Sequence, residues 1–229
     1  MKILGVKIDN LGTDEALQKA EDLLLDEQQR YIVTPNPEFL VRAQKDQTYR
    51  QILNQADLAV ADGIGLVLAA RFLKQPLKQR ITGVDLMEQI CQQAAKKGWQ
   101  VFLHGARPEP AVALAAAQVL RNKYPGLKID LLGPGNQTTP TILFVALGSP
   151  KQEKWIAHYL PKLPQVDLAI GVGGAFDFIS GRVKRAPTLV QKIGLEWLWR
   201  LAKQPWRWPR IYQAVIVFPW LVLKEKWTK

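Results

Sequence analysis

The amino-acid sequence predicts an α/β sandwich built on a mostly parallel sheet, and three observations carry that prediction. Short apolar runs recur along the chain, and several stop at Gly, Thr or Asp. Stretches with the apolar spacing of helices separate them. The composition, 48% hydrophobic and 22% charged over 229 residues, can bury a full core, which suits one large domain with an appendage better than two equal halves. In such sheets ligands bind outside the carboxyl ends of the strands, so residues at those tips are the first candidates for chemistry.

Residues 1–9 (MKILGVKID) alternate as a short strand, and Thr13 caps a helix carrying Ala16, Leu17, Ala20, Leu23 and Leu24. Residues 31–34 form a buried strand. Pro35 and Pro37 hold TPNPEF extended beyond it, which puts Thr34 and Asn36 in a loop at the sheet edge, where both types also serve plain turn chemistry. A helix over residues 38–53 returns the chain to DLAVADGIG, residues 57–65, an apolar run that stops on Asp62 with Gly63 and Gly65 behind it. A carboxylate at a strand tip is either a catalytic base or the cap of the helix that starts near Ile64. The glycines let backbone or ligand come close.

That helix runs over residues 64–72, and the loop RITGVD, residues 80–85, holds Arg80 and Thr82. Asp85 caps a helix over residues 86–97, which Gly98 ends. Residues 100–105 form a strand and residues 111–123 a helix. The glycine between them, Gly105, leaves backbone N–H groups free to face a diphosphate, but a dinucleotide fingerprint would need three glycines at fixed spacing. Strands over 128–132 and 141–147 are joined by the turn-rich residues 134–140, too few for a crossover. Either those strands are not parallel neighbours or a connecting helix is missing. GSPKQEKW, residues 148–155, then places Lys151 and Gln152 at the opening of a helix, and the last strand, residues 168–172, is followed by GGAFDFISG, which contains Asp177.

Charge is unevenly placed. Of the net +11, residues 182–229 hold eleven Lys and Arg against two Glu, together with six of the eight Trp. Basic residues among aromatic ones suit an anionic membrane surface or nucleic acid, whereas a solvated basic helix with Trp packed inward would also account for them. Residues 214–223 (AVIVFPWLVL) are ten apolar residues, long enough to lie in a membrane interface with Pro219 as a kink, and no apolar run reaches the roughly 18 residues of a spanning helix. Packing on the core or against a second copy of the chain is the competing use. The single Cys91 and the absence of a signal-type opening lead to the expectation of a cytoplasmic location.

Six motifs stand in order through most of the chain: TPNPEFL, ADGIG, RITGVDL, VALGSPKQEKW, GVGGAFDFISGRVKRAP and LEWLWRLAKQPWRWPR. Together they resemble the WecG/TagA/CpsF glycosyltransferases. The resemblance implies a Rossmann-like catalytic domain over residues 1–195 and a C-terminal helical appendage over 196–229 that contacts the membrane and lies over the active site. It implies an inverting, metal-independent transfer, without cofactor, from a nucleotide-sugar donor to a polyprenyl-diphosphate-linked sugar, in cell-surface polysaccharide synthesis at the inner face of the cell membrane. The donor would be of the UDP-N-acetylmannosamine or UDP-hexose type.

Carried over by position, the family's base matches Asp62, and its strand-tip Thr and Asn and the Gln of its PKQE motif match Thr34, Asn36 and Gln152; the resemblance puts Thr34 and Gln152 with Asp62 among the catalytic positions and Asn36 among the substrate-binding ones. Gly63, Arg80, Thr82, Asp85, Gly105, Lys151 and Asp177 fall among substrate-binding positions, and Arg200, Arg207 and Arg210 match appendage arginines that would hold diphosphate. The chemistry suits these types. Inversion needs one carboxylate to take the acceptor hydroxyl's proton, and with no Asp-x-Asp pair in the chain an arginine fork can neutralise the leaving diphosphate. Two departures accompany the match: the chain looks short of a helix between Gly133 and Thr141, and Ala106-Arg-Pro-Glu-Pro replaces a more glycine-rich loop.

Two other classes compete. A nucleic-acid-binding module would explain the basic aromatic end but lacks a recognisable motif, so no nucleic-acid partner is expected. A nicotinamide oxidoreductase would explain Gly171-Val-Gly-Gly174, but that run follows the last strand and has no acidic ribose partner about 20 residues on.

Overall fold

A computed structural model describes residues 1–106, 110–132 and 139–227. Its first nine residues are a hairpin of β1 (Lys2–Ile3) and β2 (Val6–Lys7), not the single strand that alternation suggests, because Leu4 and Gly5 take φ of 50° and 74° and turn the chain back. Thr13 is the first residue of α1 (Thr13–Leu24) rather than its cap. The leading N–H groups are satisfied from elsewhere: the Glu15 carboxylate accepts that of Gly12 at 2.7 Å, and the Gln79 side chain that of Thr13 at 3.1 Å.

After β3 (Arg30–Val33), the helix expected over 38–53 is two, α2 (Pro37–Ala43) and α3 (Gln47–Gln55). Pro37 opens α2 instead of holding it extended, since proline at the first helical position gives up an N–H that has no partner there. Asn36 caps it, its Oδ1 accepting the Phe39 N–H at 3.2 Å, and Asp46 caps α3 by accepting from Tyr49 at 2.9 Å. β4 (Leu58–Ala59) leads to α4 (Ile64–Phe72), whose cap residue is Gly63 and not Asp62. Next comes α5 (Gly83–Lys97), which starts earlier than expected because Thr82, not Asp85, caps it: Thr82 Oγ1 accepts the Asp85 N–H at 3.2 Å. Gly98 ends it at φ 72°, as predicted.

The remaining core elements are β5 (Gln100–Gly105), α6 (Ala111–Lys123), β6 (Lys128–Leu131), β7 (Thr141–Ala146), α7 (Lys151–Tyr159), β8 (Leu168–Gly171) and α8 (Ala175–Ile179). Six strands pair in the order β4-β3-β8-β7-β5-β6, every pair parallel. β5 therefore lies between β6 and β7, and those two strands are not neighbours. The loop expected at residues 106–110 and the helix looked for between 133 and 141 fall mostly outside the described residues.

Alternate strand residues feed separate layers, as a sheet covered on both faces requires. Ile32, Leu58, Ile142 and Phe144 join the helices α1, α5 and α6, while Val33, Ala59, Leu143 and Val145 face the opposite side. This is the α/β sandwich on a parallel sheet that the strand pattern predicted, and it is Rossmann-like as the family resemblance implied.

The chain ends in α9 (Thr188–Lys192), α10 (Glu196–Lys203), α11 (Trp208–Tyr212), a π-helical stretch over Gln213–Val217 and α12 (Phe218–Trp227). Pro219 has no N–H to donate, and the helix meets it with a change of register between the π stretch and α12. Phe218 and Val222, 1% and 3% exposed, enter the core cluster of Phe39, Leu40 and Leu66. Burying two such side chains is worth roughly 1.5–3 kcal/mol each, so the appendage is fastened to α2 and α4.

Candidate active site

One cavity of about 630 Å³ opens beyond the carboxyl ends of β3 and β4, where the appendage crosses them. The sheet side is the loop after β3, the turn after β4 and the start of α5. Gly65 allows the first two to meet, for a Cβ there would stand 2.7 Å from Pro37 Cγ. The floor between them carries Asp62. Its N–H donates to the Pro35 carbonyl at 2.9 Å, and its Oδ2 accepts the Gly83 N–H at 3.3 Å. The carboxylate thus serves the opening of α5 rather than capping α4, and it still faces the cavity. Burial pushes its pKa from the usual 3.8 up to about 6; the Gly83 N–H and Arg80 pull the other way, while Glu196 and Asp85 add to the rise.

The appendage supplies the opposite charge. Arg200, Arg207 and Arg210 all line the cavity, with Arg80 and Arg185 across from them. Arg200 lies over the Phe178 ring at 4.6 Å, and its Nη2 is buried without a hydrogen-bond partner among the described residues. Gly174 makes room for that guanidinium, since a Cβ would come within 2.7 Å of Nη2. Arg207 donates from Nε to Gln204 Oε1 at 2.5 Å. Burial, then Arg200 and Arg210, lowers its pKa to about 10, and burial with Arg210 lowers that of Arg200. Three appendage cations thus line one cavity, with one buried donor unused among the described residues.

Of the residues singled out by sequence, Asn36, Asp62, Gly63, Arg80, Thr82, Arg200, Arg207 and Arg210 meet in this cavity. Thr34 and Gln152 stand behind its wall. Thr34 Oγ1 donates to the Gly171 carbonyl at 2.8 Å, joining β3 to β8. Gln152 is fully buried, donating to Glu153 Oε1 at 2.6 Å and accepting the Gly173 N–H at 3.0 Å, one residue before the glycine that receives Arg200. Asp85 is bound to Arg185 at 2.5 Å, Asp177 lies 3.8 Å from Arg182, and Lys151 and Gly105 lie at other strand ends.

Three residues escaped sequence reasoning. Glu38, buried, accepts both short contacts of Arg210 Nε, at 2.8 and 3.0 Å, and also pairs with Arg42. Arg185 ties Asp85 in the core to Glu196 in the appendage at 3.1 Å. Burial pushes Glu153 up to about 7. Each stands inside a quoted motif, TPNPEFL, GRVKRAP or SPKQEKW, and those motifs were the available signal. Among the described residues no group of three or more His, Cys, Asp or Glu is close enough to hold a metal ion.

The chain is 36% identical over 210 residues to N-acetylglucosaminyldiphosphoundecaprenol N-acetyl-beta-D-mannosaminyltransferase of Bacillus subtilis (strain 168), covering 86% of this chain and 80% of the relative. To the protein of the same name in Staphylococcus aureus (strain MW2) it is 33% identical over 241 residues, covering 98% and 92%. The match to the family described as glycosyl transferase WecG/TagA/CpsF runs over residues 1–229, and the chain belongs to that family.

Proposed function

We propose that this glycosyltransferase moves N-acetylmannosamine from a nucleotide diphosphate to N-acetylglucosamine carried on a polyprenyl diphosphate, with inversion and without a metal ion. The observation that carries the proposal is the pairing, in one cavity, of a single carboxylate of raised pKa with a cluster of arginines that includes an unpartnered buried Nη2. The relatives' printed names supply the sugars, and their "beta" supports inversion of an α-linked donor.

In the step, the Asp62 carboxylate takes the proton of the acceptor hydroxyl as its oxygen bonds to C1 of the donor sugar. The bond from C1 to the diphosphate oxygen breaks on the opposite side. The released charge is met by Arg200, Arg207 and Arg210, whose forks pair with phosphate oxygens. A base near pKa 6 is ionised at neutral pH yet more basic than an ordinary aspartate. Asn36, Gly63, Arg80 and Thr82 contact the substrates along the cavity wall. Thr34, Gln152 and Asp85 set the loops behind them, with Asp177, Lys151 and Gly105 at the rim.

Residues 196–229 act as lid and membrane contact together, holding the enzyme on the cytoplasmic face where a lipid-linked acceptor resides. Trp206, Trp208, Trp220 and Trp227 are all exposed, among Lys and Arg that anionic lipid attracts at about 1 kcal/mol each. No helix among the described residues is long and apolar enough to cross a membrane. The deciding experiment is a donor screen on an N-acetylglucosamine diphospholipid, read by UDP release with and without EDTA. UDP release from UDP-N-acetylmannosamine that EDTA leaves intact is expected; release that EDTA abolishes would remove the metal-independent part, and none with this donor would remove the sugar assignment.

A further inference from the structure

The cavity is charged on one side and apolar on the other. Beyond the arginines, α4 and the chain from the π stretch into α12 face each other, and their facing residues are Leu68, Phe72, Val215, Pro219 and Leu223. These are not core residues left over: Leu68 is 57% exposed, and Phe72, Val215 and Leu223 are exposed too. Beneath them Phe218 and Val222 are fully packed, so the two walls are fixed in place and the strip between them lies open. Arg210 precedes Ala214, another lining residue, by one helical turn, so the charged and apolar parts are continuous along one piece of chain.

A free nucleotide sugar has no use for such a strip, because nothing in it is hydrocarbon beyond its rings. An amphiphile with a diphosphate next to a hydrocarbon chain matches both parts in order. We infer that the strip between α4 and α12 is a binding lane for the first isoprene units of the prenyl diphosphate acceptor, entered from the arginine cluster. The inference rests on the functional reading above and adds a selection rule to it: the enzyme senses the lipid directly and does not depend on the bilayer alone to bring the acceptor near. Each buried isoprene removes apolar surface from water, so a chain of three units adds about tenfold or more to affinity over a methyl group.

The test uses the full chain, without detergent or vesicles, and a double variant Leu68→Gln, Val215→Gln. Both positions are exposed, and circular dichroism checks the fold. Calorimetry compares farnesyl diphosphate with methyl diphosphate, and kinetics compares N-acetylglucosamine diphosphate acceptors bearing the same two groups. Wild type is expected to prefer the farnesyl compounds by about tenfold or more in both assays. The double variant should bring that ratio close to one. Equal binding of the two diphosphates by wild type, or an unaltered preference in the folded double variant, overturns the lane. If neither acceptor receives sugar, the functional reading fails while the binding comparison still decides the lane; if transfer proceeds without regard to chain length, the lane fails and the functional reading stands.

Discussion

The two sides of the cavity are built in different ways. On the sheet side, Asp62 is held by backbone: its own N–H on Pro35, its carboxylate on Gly83, just beyond the edge strand β4, which β3 holds in register. On the appendage side, the arginines are held by side chains, Arg210 on Glu38 and Arg207 on Gln204, while Arg185, which precedes the appendage, bridges Asp85 and the appendage's Glu196. Backbone bonds fix a group that must sit in one place to take a proton. Side-chain ion pairs can be exchanged for a phosphate without unfolding anything. On the function proposed above, the difference assigns basicity to the sandwich and charge neutralisation to the appendage.

The largest effect that could break this division is Asp62→Asn, which keeps the Gly83 contact and loses the basic oxygen. Turnover should fall by about 100- to 10,000-fold with the fold intact, as judged by circular dichroism and UDP release. Near-normal turnover would move the base elsewhere. Next in size, Arg207→Ala and Arg210→Ala should each lower transfer to a soluble acceptor by about ten- to a hundredfold, the worth of hydrogen bonds to a charged group. If only transfer on vesicles fell, the arginines would be membrane contacts and not phosphate partners.

A smaller effect sharpens the comparison by its sign. Asp62 has a folded pKa above its unfolded one, so the folded state holds the proton more tightly, and stability declines as pH rises from about 4 to about 6 and stays lower above that. Asp62→Asn removes the cost of burying the charge. Denaturant melts at pH 8 should show the variant more stable by about 1–3 kcal/mol, with the gain gone near pH 3.5. A loss of stability at pH 8 would make Asp62 a structural strut. Smallest is Lys224→Gln, beside the exposed Trp220 ring at 5.6 Å, which should reduce partition onto anionic vesicles by about fivefold at low salt.

The sheet side was the more legible in sequence. Strand tips ending in Thr, Asp and Gly announce a parallel sheet, and they pointed to Asp62 and Asn36, both of which line the cavity. Helix starts were less legible, because neighbouring polar residues compete to cap and a distant one can take part: Glu15 and the remote Gln79 satisfy the N–H groups at Gly12 and Thr13, and Thr82 takes the place of Asp85. On the appendage side, composition announced charge and aromatic surface. It did not show that Phe218 and Val222 would enter the core while Trp220 stayed out, since AVIVFPWLVL reads as uniformly apolar and only the π stretch before Pro219 decides which residues turn inward. Nor could sequence tell that Gln152 would spend both ends of its amide on Glu153 and Gly173, a fact of three-dimensional packing.

The most direct test of the division is the pH dependence of kcat/KM for the wild-type chain with a soluble acceptor. If Asp62 is the base, the rate rises with pH as one group ionises, with a midpoint near 6, and that limb is missing from the residual activity of Asp62→Asn. A wild-type profile that is flat from pH 5 to 8, or the same limb persisting in the variant, would contradict the assignment.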